Sequence, residues 1–132
     1  MNAPHRESPL DATAFKSRGG LMRVWRALTY SLDGLRAAVA HEAAFRQELI
    51  AALVLVPLAL WLGHDTLERV LLVGSLLQVL IVEIVNSAVE AVVDRVSLDR
   101  HDLSKRAKDL GSAAVMLSII LAVWVWAGLL LF

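Results

Sequence analysis

Glu83-Ile84-Val85-Asn86-Ser87-Ala88-Val89-Glu90-Ala91-Val92-Val93-Asp94 closes an apolar run that begins near Val70. A run of this kind reads as a helix lying at least partly in a membrane. With a turn of about 100° per residue, Glu83, Asn86, Glu90 and Asp94 fall within an arc of about 80° on one face. Ile84, Val85, Val89, Ala91, Val92 and Val93 fill the rest of the surface. An acid at the centre of a membrane helix costs about 2.5–3.5 kcal/mol on insertion scales, so such groups face a bundle interior and mark function. One reading of the stripe is a hydrogen-bond seam between helices. The other is a site that holds cations and, through them, an anionic ligand.

The composition is that of a membrane protein. The 132 residues are 58% hydrophobic, with a mean hydropathy of +0.62, above the range of soluble domains. The length sets one domain as the expectation. There is no cysteine, which excludes disulfides and thiolate metal sites. Thirteen basic and thirteen acidic residues balance to zero net charge, and no nucleic-acid partner is expected. The information lies in where the charges fall.

Residues 1–20 carry Pro4, Pro9, Gly19 and Gly20 without periodicity, and read as a mobile cytoplasmic tail without a signal peptide's apolar core. From Leu21, apolar residues recur at three- and four-residue steps through Val24, Trp25, Leu28, Leu32, Leu35 and Val39, with Arg23, Arg26, Asp33 and Arg36 between them. This predicts an amphipathic helix over about 21–45, suited to a membrane surface. The polar segment 41–48 links it to a first span over about 46–63. Gly63-His64-Asp65-Thr66 is a tight turn, with Asp65 or Thr66 capping a second span over about 67–94. A polar loop over 95–109 follows, with Ser104 as the expected cap. A third span runs over about 109–131, starting with the small residues Gly111, Ser112, Ala113 and Ala114 that permit close helix approach. The expected fold is therefore an all-α membrane protein: a surface helix plus three transmembrane helices.

Three spans place the N-terminal region and the 95–109 loop on one side. Twelve of the thirteen Lys and Arg residues lie there, all but Arg69. By the positive-inside rule that side is cytoplasmic and the C-terminus is on the far side. On the cytoplasmic side Glu83, Asn86 and Glu90 meet Glu42 and Glu48 at the mouth of the first span. Lys108 and Asp109, expected to begin the third helix, add its anion-favouring amides. Such carboxylates suit Mg²⁺ shared with phosphate oxygens, and phosphoryl transfer needs mainly positioning and charge neutralisation. No phosphate-binding glycine loop is present. The residues alone leave a kinase and a cation pathway both open.

Four segments carry a resemblance. They are Gly34-Leu35-Arg36-Ala37-Ala38, Glu42-Ala43-Ala44-Phe45-Arg46-Gln47-Glu48, the Glu83–Arg95 stretch, and Arg106-Ala107-Lys108-Asp109-Leu110-Gly111-Ser112-Ala113-Ala114. Together they resemble the prokaryotic diacylglycerol kinase family over about residues 21–132. The resemblance implies a homotrimeric inner-membrane enzyme with active sites shared between subunits. It implies transfer of the γ-phosphate of MgATP to diacylglycerol, giving phosphatidic acid. Glu83 would be the base at the lipid hydroxyl and Glu42 and Glu90 would hold the metal. Lys108 and Asp109 would contact ATP, and Arg23, Tyr30 and Asp99-Arg100-His101 would line the nucleotide site. Asn86 would support the catalytic geometry, and Glu48 and Ser112 would lie beside the lipid. The order along the helices agrees with those roles: Glu83 is deepest, where a lipid hydroxyl sits, and Glu90 is two turns nearer the cytoplasm. Two rivals stand beside this reading. One is a kinase of the same fold acting on another lipid alcohol such as undecaprenol. The other is a small cation-conducting or scaffold protein whose stripe lines a symmetry axis.

Overall fold

The computed structural model describes residues 11–96 and 101–132, with side chains from residue 19 onward. The described elements are four helices: α1 (Asp11–His41), α2 (Ala43–Leu62), α3 (Thr66–Val96) and α4 (Asp102–Leu131). The last three are long and apolar enough to cross a membrane. At 1.5 Å per residue α2 spans about 30 Å, matching a hydrocarbon core, whereas α3 and α4 are about half as long again. Their surplus length includes the charged residues Glu90, Asp94, Lys105, Lys108 and Asp109.

Three helix boundaries differ from the sequence reading. Helix α1 begins at Asp11, so residues 11–20, expected in the tail, are helical. The break between α1 and α2 is the single residue Glu42, which is extended at φ −104° and ψ 110°, rather than a polar linker over 41–48. Helix α4 starts at Asp102, and its cap is His101, not Ser104: the imidazole accepts a hydrogen bond from the Leu103 amide at 3.2 Å. Caps decide where a helix begins, whereas the loss of charge near Leu110 marks only where polar surroundings end. Lys108 and Asp109 therefore lie well inside α4, away from its free amides.

The chain divides into two units, the first ending at Ala37 and the second covering Ala38–Phe132. The first is α1 up to Ala37. Its hydroxyls bond their own helix, Thr29 to the Trp25 carbonyl at 3.0 Å and Ser31 to the Ala27 carbonyl at 2.9 Å. Arg36 pairs with Asp33 at 3.0 Å, and Leu21, Val24, Trp25, Leu28, Leu32 and Leu35 are exposed.

In the second unit α3 is the central helix and packs on both α2 and α4. Its buried face is Leu72, Ser75, Val79 and Glu83, at steps of three and four. This face continues in register into Asn86 and Glu90, so one helix face is core at one end and acidic at the other. Small residues oppose it: Ala52 and Ala59 are buried on α2, Ser118 and Ala122 on α4. Ser75 and Ser118 satisfy their hydroxyls by donating to the Leu72 and Val115 carbonyls at 2.8 and 2.7 Å, which lets a polar residue sit in an apolar seam. Trp126 donates its indole N–H across to the Leu72 carbonyl at 3.2 Å.

The turn between α2 and α3 is a reciprocal cap. Asp65 accepts from the Glu68 amide at 2.8 Å, and Glu68 accepts from the His64 amide at 2.7 Å and faces the His64 ring at 3.0 Å. Arg69 folds back to donate to the Gly63 carbonyl at 3.0 Å. A Cβ on Gly63 would press on the Arg69 stem, which accounts for glycine there.

Trp126→Phe keeps an aromatic ring, though a smaller one, and removes one interhelix hydrogen bond. It is expected to lower stability by about 1 kcal/mol, read as an earlier midpoint in thermal or detergent unfolding; an unshifted midpoint would show that the bond contributes nothing.

Candidate active site

The acidic site is assembled where the α3 stripe meets the start of α2 and the early turns of α4. Glu83 is buried, at 4% exposure. One helical turn on, Asn86 is half-buried and donates from its amide to Glu90 at 3.3 Å. Asp94, further along, is exposed and takes the ammonium of Lys108 from α4 at 2.6 Å. That bridge links the end of α3 to α4 across the polar loop.

Helix α2 contributes the other carboxylates. Glu42 and Glu48 are half-buried. The Glu83 carboxylate lies within electrostatic reach of Glu90, Glu42 and Glu48. Among the described residues none of these four acids joins an ion pair. One oxygen of Glu48 is buried and lacks a hydrogen-bond partner, as is the amide oxygen of Asn86.

Gly111 explains how α4 comes so close. Its Cα faces the Asn86 side chain, and a Cβ there would overlap the amide oxygen. Glycine there leaves room for the Asn86 amide where α4 lies against the acidic face of α3.

Below the carboxylates, α2, α3 and α4 enclose an apolar groove of 610 Å³. Its walls include Ala52, Leu55, Leu76, Leu80 and Trp126, and Glu48 is the one charged residue along it. The groove thus sets an apolar surface beside the Glu48 carboxylate within the second unit.

The residues named from sequence divide accordingly. Glu83, Asn86, Glu90, Glu42 and Glu48 come together, with Lys108 across from them in the field of Glu90. Asp109 pairs instead with Lys105 at 2.6 Å along α4. Ser112 is exposed, one residue beyond the contact at Gly111, and His101 is occupied as the α4 cap. Arg23 and Tyr30 belong to the first unit, where Arg23 donates to the Gly19 carbonyl at 3.2 Å and Tyr30 is exposed. Asp99 and Arg100 lie outside the described residues. Sequence reasoning placed Asp94 in the stripe but gave it no partner, and it gave Gly111 no opposite number. Both contacts cross between helices, so no spacing along the chain announces them.

No group of three or more acidic or histidine side chains among the described residues forms a metal cage. Two carboxylates with open acceptor positions nevertheless fit Mg²⁺, which is commonly held by one or two carboxylates and completed by substrate phosphate oxygens.

These features describe a membrane protein with three apolar helices and an acidic cluster beside an apolar groove, a form suited to an enzyme that works on lipid. Residues 29–130 match the model of the family "Prokaryotic diacylglycerol kinase". A diacylglycerol kinase of Escherichia coli is 56% identical over 111 residues, covering 84% of this chain and 91% of that protein. One from Pseudomonas aeruginosa is 48% identical over 122 residues, covering 92% and 99%. One from Haemophilus influenzae is 45% identical over 113 residues, covering 86% and 96%. The chain belongs to the prokaryotic diacylglycerol kinase family. It is a lipid kinase by that membership, which sets aside the cation-conducting or scaffold alternative.

Gly111→Ala is expected to cost about 1–3 kcal/mol through overpacking against Asn86 and to depress activity with it. Gly128→Ala, where a Cβ meets nothing within 4 Å, is the control. Equal behaviour of the two variants in unfolding and turnover assays would contradict the close approach at Asn86.

Proposed function

We propose that this protein transfers the γ-phosphoryl group of MgATP to the free hydroxyl of diacylglycerol at the cytoplasmic face of a bacterial inner membrane, releasing phosphatidic acid and ADP. The observation that carries the reading is the buried carboxylate of Glu83, set between an apolar groove and a more polar group of Glu90, Glu42 and Lys108. A lipid alcohol that lays an acyl chain in the groove presents its hydroxyl at the Glu48–Glu83 level. Nucleotide approaches from the opposite, aqueous side.

Glu83 takes the proton of the lipid hydroxyl as that oxygen bonds to the γ-phosphorus and the bond to the β-phosphate oxygen breaks. A base must lie within hydrogen-bond reach of the proton it removes, and burial on the central helix keeps this carboxylate away from competing water. Asn86, bonded to Glu90 and pressed against Gly111, holds the spacing between base and outer carboxylate. The unpaired Glu48 oxygen is an acceptor available to the lipid headgroup. Lys108 exchanges Asp94 for phosphate oxygens. Glu42 and Glu90 are the residues to hold Mg²⁺, which supplies charge neutralisation to the transferring phosphoryl group.

The membrane placement rests on three apolar helices and on the positive-inside distribution of Lys and Arg. In this reading α1 lies on the cytoplasmic surface through its exposed apolar residues. Self-association into a homotrimer with shared active sites is part of the same reading and rests on the family membership.

The test is phosphorylation by purified protein in mixed micelles, with diacylglycerol and undecaprenol offered separately and together. Phosphatidic acid is expected as the dominant product, and EDTA is expected to abolish it. Dominant undecaprenyl phosphate would redirect the acceptor assignment, and transfer to neither would refute the function. Glu83→Gln is expected to stay folded while phosphotransfer falls at least about 100-fold; full activity in a folded variant would remove Glu83 as the base.

A further inference from the structure

The last turn of α1, from Ala38 onward, belongs to the same unit as α2–α4. A helix end leaves its final carbonyls without intrahelical partners. Here the Glu42 amide donates to the Ala38 carbonyl at 2.9 Å, and the Arg46 guanidinium takes the next two, donating through Nη1 to Val39 at 3.0 Å and Ala40 at 3.2 Å. The Arg46 amide in turn donates to the Glu42 carbonyl at 3.2 Å. The backbone is thus held on both sides of the one extended residue, Glu42, whose side chain makes no capping bond.

Glu42 and Arg46 stand four apart, the spacing at which a carboxylate and a guanidinium pair along a helix. They do not pair. The carbonyl end of α1 carries negative dipole charge, and the guanidinium is spent there. The Glu42 carboxylate has no ion-pair partner among the described residues and lies within electrostatic reach of Glu83. An arginine that closed on Glu42 would neutralise a ligand that a divalent cation needs.

We propose that Arg46 is a positioning residue for the divalent-cation site, clamping the end of α1 so that the Glu42 carboxylate is held beside Glu83 and Glu90 without an ion-pair partner of its own. The inference rests on the reading that Glu42 and Glu90 hold the metal. Arg46 does not touch the cation. It acts through Glu42, as residues that orient a ligand do, and loss of such support commonly weakens metal binding by about 10–100-fold.

The experiment is titration of Mn²⁺, followed by electron paramagnetic resonance, into the full-length protein in micelles with a non-hydrolysable ATP analogue. Wild type, Arg46→Gln, Glu42→Gln and the double variant are compared. Arg46→Gln is expected to weaken Mn²⁺ binding about tenfold in the wild-type background and less than about twofold in the Glu42→Gln background, since the two changes act through one carboxylate. In turnover assays the Mg²⁺ requirement rises while KM for diacylglycerol holds. If Arg46→Gln does not fold, Arg46→Lys serves; it keeps the charge without the fork, and wild-type Mn²⁺ affinity in that variant overturns the proposal. Wild-type affinity in Arg46→Gln, or equal losses in both backgrounds, overturns the proposal alone. Wild-type protein that binds no Mn²⁺ nucleotide, or Glu42→Gln that binds it normally, overturns the site reading and the proposal with it.

Discussion

Keeping a carboxylate inside an apolar helix bundle constrains nearly everything around it. Glu83 is one of the few buried polar residues, and it sits on the helix that both neighbours pack against. Removing such a group from water is costly unless polar partners or a ligand compensate. The surrounding sequence meets that demand by shape. Ala52 and Ala59 on α2, and Gly111, Ser118 and Ala122 on α4, let the backbones approach α3 closely enough to screen the acid from lipid. The serines that do so bond their own helices and leave no stray hydroxyl in the seam.

The distribution of charge around Glu83 is uneven in a way that fits phosphoryl transfer. The nearby cations are already engaged: Lys108 by Asp94, Lys105 by Asp109, Arg46 by backbone carbonyls. The acids at the centre are not. In the proposed reading, a divalent cation brought by a polyphosphate would find carboxylate oxygens there without first displacing a bound side-chain cation. In that reading the apolar groove would favour a lipid alcohol over a water-soluble one, which buries no apolar surface there.

Much of this was legible from residue order. The periodicity of Glu83, Asn86, Glu90 and Asp94 placed them on one face, and the apolar runs marked three long helices. The helix starts were harder to read. Residues 11–20 lack an apolar period yet are helical, and α4 begins at a histidine cap hidden within a charged stretch. Polarity reports what surrounds a segment, whereas helix limits depend on which group satisfies the first amides.

What the sequence by itself determined is therefore one-dimensional: which helix carries the acids, which face they share, which runs are apolar, and which family's motifs are present. These follow from local periodicity and composition. Only the tertiary structure decided that Lys108 meets Asp94, that Asn86 rests on Gly111, that Trp126 bonds to Leu72, and that Arg46 turns from Glu42 to the end of α1. Each of these depends on how the helices and the break at Glu42 are arranged in space. That arrangement is set by small-residue packing and by backbone groups seeking partners, and neither leaves a period along the chain.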